Sequence, residues 1–143
     1  MRGLVVAVLF CLAGAAGAGD KKPPTFDFRI VERVELACAI GVEKAKNEDE
    51  AAASLRWRNG ALEAIVEITY QATLAWLSER RDLVAALESE QDLWMAALGS
   101  MPKETREQLD EEARLLHRRL AVFMTITTGD FAAAAPVAAE GGD

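Results

Sequence analysis

Residues 61–98 read ALEAIVEITYQATLAWLSERRDLVAALESEQDLWMAAL. On a wheel of about 100° per residue with Leu62 at zero, Leu62, Ile65, Val66, Trp76, Leu77, Leu83, Val84, Leu87, Trp94, Met95 and Leu98 fall within an arc of about 120°. Glu63, Glu67, Gln71, Ser78, Arg81, Asp82, Ser89 and Asp92 take the opposite side. The sorting persists over roughly ten turns, which only a helical period produces. Uninterrupted, such a helix would be about 57 Å long at ~1.5 Å per residue. Proline is absent between Pro24 and Pro102, so nothing between them forbids helix.

After this stretch, Gly99 reads as a helix stop, and Ser100 with Pro102 as the start of a last helix running to about Thr128, where Gly129 ends it. Leu109, Ala113, Leu116, Leu120, Phe123 and Thr127 form its stripe. Leu115, Val122 and Ile126 form a second apolar strip, which is either a partner site or the contact with a third helix. The short connection around Gly99–Pro102 predicts that the two long helices are antiparallel neighbours. Before the stretch, a first helix should run from near Asp27 to near Lys46, with Ile30, Val31, Ala37, Cys38, Gly41, Val42 and Ala45 on one side. Asn47 with Glu50 resembles a capping box and opens a second, Ala-rich piece over 48–58. Asn59-Gly60 predicts a break or kink; a continuous helix through Gly60 is the costlier alternative. The fold class is therefore all-α, a small antiparallel bundle of three to four helices over residues 27–128.

The chain has 143 residues, room for one small domain. Sixteen Lys and Arg against 23 Asp and Glu give a net charge of −7, unsuited to non-specific nucleic-acid binding. Two Cys exclude a multi-disulfide scaffold, and a single His excludes most histidine-built clusters. The start, MRGLVVAVLFCLAGAAGAGD, has the order of a secretory signal: Arg2, an apolar run from Leu4 to Ala13, and an Ala16-Gly17-Ala18 cleavage site. A signal peptide over 1–18 is expected, with an N-terminal anchor as the alternative. Cleavage removes Arg2 and Cys11, leaving Cys38 as the only thiol and 15 bases against 23 acids, or −8. Residues 19–26 then form a tether stiffened by Pro23 and Pro24, and residues 129–143 a disordered tail. The expected location is periplasmic or secreted, with no stable membrane insertion after cleavage.

Little here points to catalysis. Glu63 and Glu67 sit one turn apart, but helical di-metal sites also need Glu-x-x-His pairs, and Arg114 stands three residues before His117. A solvated face is expected for the two carboxylates. His117 reads as a boundary residue, and Cys38 as a buried small hydrophobe or the site of an intermolecular disulfide. Trp76 and Trp94, 18 residues apart on one face, read as core; Trp57, between Arg56 and Arg58, could pack at a bundle end or mark a contact surface. No nucleophile–base pair, metal set or phosphate loop is visible, so the chain is read as no enzyme and as needing no cofactor.

Residues Tyr70 to Leu120 resemble the helical domain of the LprI-like lysozyme inhibitors, small exported bacterial proteins. The shared features are Tyr70, Leu83, Leu87, Gln91 and Trp94, then Arg119-Leu120; Gly99-Ser100-Met101 is similar to a loop in some members, and Thr25-Phe26-Asp27 to a common start. Phe28 stands where that family carries a Cys, and no Cys follows Trp94. The resemblance implies a non-catalytic binding protein of the cell envelope with a basic protein partner such as lysozyme. The tip Gly99, Ser100, Met101 and Lys103 is then the candidate inhibitory loop, with Leu115, Val122 and Ile126 as the next candidate surface. A periplasmic helical chaperone or stress adaptor is the alternative, and the oligomeric state is open.

Overall fold

The fold was obtained as a computed structural model that describes residues 21–128. The expected signal peptide, Gly19 and Asp20 of the tether, and the tail from Gly129 onward lie outside the described residues. The described residues form an all-α bundle of four helices: α1 (Arg29–Lys44), α2 (Glu48–Trp76), α3 (Arg81–Gly99) and α4 (Arg106–Thr128). Leu62, Leu77, Leu87, Leu116 and Phe123 are fully buried at its centre, with Val66, Leu83, Leu98 and Leu120 beside them. A second small cluster of Cys38, Leu55 and Leu109 joins α1, α2 and α4 at the other end. No helix among the described residues is long and apolar enough to cross a membrane.

The expected break at Gly60 does not occur. Helix α2 runs unbroken from Glu48 to Trp76. The Asn-Gly turn signal loses because the Asn59 side chain is 3 % exposed and tied to α4: its Nδ2 donates to the Leu109 carbonyl at 2.8 Å and to Glu112 Oε2 at 2.8 Å. Nothing lies within 4 Å of where a Gly60 Cβ would be. Gly60→Ala is therefore expected to stabilise the protein by about 1 kcal/mol, the helix-propensity difference, measured by urea denaturation. A loss of stability would mean the backbone there needs glycine's freedom.

The chain turns instead between Trp76 and Arg81, and the expected single long helix over 61–98 becomes the hairpin of α2 and α3. No Gly or Pro marks this turn. Leu77 caps α2 by donating its N–H to Thr73 O at 3.0 Å, and Arg80 N donates to Leu77 O at 2.8 Å. Helix α4, about 35 Å long, could not cover a straight 57 Å stripe; folding back brings Leu77 and Leu83 into the same core. Helix α4 also starts later than the Pro102 signal suggested. Gln108 N donates to Thr105 Oγ1 at 3.2 Å, while Gln108 Oε1 accepts from Thr105 N at 3.1 Å, a reciprocal capping box. At α2, Asn47 Oδ1 accepts from Glu50 N at 2.9 Å, and Glu50 Oε2 reaches back to Lys46 N at 2.8 Å.

The closest backbone approaches are α2 with α4, which run parallel, and α1 with α2, which run antiparallel. Gly41 permits the second, since a Cβ there would lie 2.5 Å from Ser54 Oγ. Helix α3 is antiparallel to both α2 and α4 and joins α4 through side chains, as Glu90 and Gln91 meet Arg119.

Candidate functional site

Two polar clusters are built into the helix contacts. In the first, Arg58 on α2 is 8 % exposed. Its Nε donates to Asn59 Oδ1 at 3.0 Å, its Nη2 to Asp110 Oδ1 at 3.0 Å and to the Leu109 carbonyl at 3.2 Å, and its Nη1 lies 3.8 Å from Glu35 Oε2. Glu112, buried, takes Asn59 and the ammonium of Lys103. His117 Nε2 is 2.7 Å from Glu35 Oε1. This cluster ties α1, α2 and α4 together around groups that are already partnered.

The second cluster is centred on Arg119 of α4, 3 % exposed. Its Nη1 donates to Glu90 Oε1 at 2.7 Å; Nε and Nη2 both donate to Gln91 Oε1, at 2.9 and 2.7 Å. The guanidinium carbon lies 4.8 Å from the Phe123 ring centroid and 5.5 Å from that of Trp94. Glu90 Oε2 and Gln91 Nε2 are buried without a hydrogen-bond partner.

Neither cluster offers a nucleophile. Cys38 is buried and has no Cys partner among the described residues, and burial pushes its thiol above the ordinary range, so it is the inert thiol rather than the reactive thiolate. Among the described residues no group of three or more His, Cys, Asp or Glu is placed to hold a metal. Sequence reasoning could not place a carboxylate beside His117; Glu35, 82 positions away, is that partner.

The residues expected to meet a partner are distributed unevenly. Gly99 and Ser100 are exposed at the end of α3. Met101 packs against the main core, and Lys103 is engaged with buried Glu112. Ile126 is buried, and Leu115 and Val122 are half-buried against the same core, so this strip is turned into the bundle.

A different apolar surface faces outward, on α1 and α2. Ile30 is 50 % exposed, Leu36 62 %, Ile40 42 % and Trp57 53 %. Ile30, Leu36, Ala37 and Ile40 fall within about 120° on the wheel of α1. The inward side of α1 carries Val31 and Cys38 instead, so Ile30 and Ala37, expected on the packed side, are exposed. Beside this face a shallow groove of about 380 Å³ is lined by Ala37, Ala53, Ser54 and Trp57. The contact-surface alternative for Trp57 was legible in the sequence; its company was not, because it depends on how α1 is rotated against α2.

No family model, curated protein or solved structure matches this chain.

Proposed function

We propose that the chain is an exported, non-catalytic binding protein of the bacterial cell envelope that docks a basic protein through the outer face of α1 and α2, with lysozyme as the partner to test. The observation that carries this reading is that Leu36, Ile40 and Trp57 are each more than two-fifths exposed, and that Trp57 shares a groove with Ala37, which falls on the same wheel face of α1 as Leu36 and Ile40. Contiguous large apolar side chains on a small domain mark interaction surfaces, and a Trp at such a surface is the usual anchor of binding energy. The acid excess, −7 for the whole chain, selects the partner's sign and speeds its encounter. The resemblance of Tyr70 to Leu120 to lysozyme inhibitors supplies the named partner, and the signal-like start supplies the location. Site chemistry supports the non-catalytic part, since both polar clusters hold helices together and neither pairs a nucleophile with a base.

The test is a titration of lysozyme activity and a direct binding measurement, with wild type and two variants. Trp57→Ala combined with Leu36→Asp alters only exposed side chains and is expected to weaken binding at least tenfold, about 1.4 kcal/mol or more, without lowering thermal stability. Binding should also slow as salt rises past the point where the Debye length is about 8 Å. Ser100→Trp probes the α3–α4 tip. If it abolishes inhibition while the double variant does not, the docking surface is the tip. If wild type neither binds nor inhibits, but suppresses aggregation of an unfolded client, the exposed face serves a chaperone.

A further inference from the structure

We propose that the cleft between α2 and α3 is a subsite for a guanidinium side chain, an arginine of the basic partner, an assignment of the source that rests on the reading above. The cleft holds about 260 Å³ and is bordered by Gly60, Glu63 and Glu67 from α2 and by Gln91, Trp94 and Met95 from α3. That is just below the ~300–1,000 Å³ of ordinary small-molecule sites, a size for one side chain.

Three features select the occupant. First, Glu63 and Glu67 bring two carboxylates to one rim, one helical turn apart. Glu63 has no hydrogen bond or ion pair among the described residues, and Glu67 meets only the Gln71 amide, through Oε1 at 2.9 Å. Second, Trp94, whose ring already lies 5.5 Å from the Arg119 guanidinium carbon, borders the cleft as an aromatic wall, and on such a ring a planar guanidinium stacks better than a compact ammonium. Third, Gln91 is 4 % exposed, and its amide nitrogen has no acceptor. The amide cannot be turned to cure this, because its oxygen receives two hydrogen bonds from Arg119. A buried donor left unmatched is costly, and the side chain that carries it lines the cleft. An arginine in a peptide supplies the cation that the rim lacks, and its backbone carbonyl meets the amide nitrogen, closed off in the unliganded chain, only if the Gln91 side chain shifts. Gly60 supplies the space, since nothing stands within 4 Å of its absent Cβ. At this point α2 accepts the helix cost of a glycine that neither a turn nor a close contact requires.

The test uses the full chain, ¹⁵N-labelled, titrated with N-acetyl-arginine methylamide and with its neutral isostere N-acetyl-citrulline methylamide. The Trp94 indole and Gln91 side-chain N–H signals are followed. Saturable shifts are expected with the arginine probe, and binding about tenfold weaker with citrulline. Glu63→Gln combined with Glu67→Gln should erase that discrimination. Gly60→Leu should fill the cleft and abolish the shifts while keeping or raising the melting temperature, so loss of binding is not loss of fold. Equal binding of the two probes, discrimination that survives in the double variant, or binding undisturbed by Gly60→Leu would overturn the proposal and leave the Gln91 amide to water. The outcome is separable from that of the α1–α2 face. Failure of the probe with lysozyme still captured rejects the cleft alone; binding of the probe with no capture of lysozyme rejects the partner alone.

Discussion

Arg119→Ala is expected to destabilise the protein by roughly 3–5 kcal/mol, the cost of breaking a buried ion pair from one side. Arg119 and Glu90 are 3 % and 6 % exposed, and among the described residues their 2.7 Å contact is the carboxylate's only hydrogen bond, since Glu90 Oε2 has none. Removing the guanidinium strands that carboxylate and also takes both donors from Gln91 Oε1. Urea denaturation reads the effect as a lower midpoint at unchanged slope. Arg119→Lys should recover only part of the loss, because one ammonium cannot replace a planar fork that serves Glu90 and Gln91 together while lying over Phe123 and Trp94. The informative comparison is Arg119→Met combined with Glu90→Leu. Taking out both charges strands no charge and leaves only the neutral Gln91 amide unmatched, so the double variant should lie closer to wild type, within about 1–3 kcal/mol, than Arg119→Ala alone. A loss below about 1 kcal/mol for Arg119→Ala would mean that Glu90 reaches water and that the α3–α4 contact is open.

Both polar clusters left a mark in the sequence that the apolar pattern hides. On the wheel that places Leu62 at zero, Gln91 falls at about 20° and Arg58 at about 320°, inside the apolar arc. On the wheel of α4 with Leu109 at zero, Arg119 and Glu112 fall at about 280° and 300°, between the stripe of Leu109 and Leu116 and the strip of Leu115, Val122 and Ile126. A charge flanked by apolar rows on both sides cannot face water when both rows are buried, and it must find a partner inside. The two rows on α4 are one broad face, because α4 packs against α1, α2 and α3. Counting apolar positions found the helices; the polar exceptions on the same faces would have found the clusters.

The helix boundaries divide differently. The phase of α2 runs unbroken through Gly60, with Ala51, Leu55 and Arg58 in register with Leu62, and that continuity outweighs the Asn-Gly turn signal. The turn after Trp76 was not legible. Leu77 and Leu83, at about 60° and 300°, both stay inside the apolar arc across it, so a straight helix and a hairpin present the same pattern, and only the length of the stripe against the length of α4 distinguishes them. Thr105 and Gln108 did carry a capping-box spacing for the true start of α4, overshadowed by the stronger Pro102 signal. The candidate interaction face on α1 was hidden for another reason. A helix at the edge of a bundle with apolar residues on more than one side does not say which side is covered.

Phe123→Ala is expected to cost a further roughly 3–5 kcal/mol measured on its own, the range for emptying an aromatic site in a packed core. Phe123 is 0 % exposed and lies between the Tyr70 ring, 6.1 Å away at 45°, and the Arg119 guanidinium at 4.8 Å. The two large effects should therefore not add. Arg119 loses a stacking partner when Phe123 goes, and the difference between the double variant and the sum of the singles measures that contact. Tyr70 reports on the same site, because it is the chain's single tyrosine. Burial, reinforced by the nearby carboxylates of Glu88, Asp92 and Glu67, holds its phenol above the usual tyrosine range. The folded state thus disfavours the phenolate. Tyr70's contribution to stability is fully present below the unfolded phenol's pKa of about 10 and is lost as pH rises from there through the higher folded value. A cavity where Phe123 stood lets water approach the ring, so in Phe123→Ala the tyrosine absorbance titration should move down toward the unfolded value. An unshifted titration together with a loss under about 1 kcal/mol would show that the Phe123 ring does not pack Tyr70, and would reject the core contact between α2 and α4 on which this fold depends.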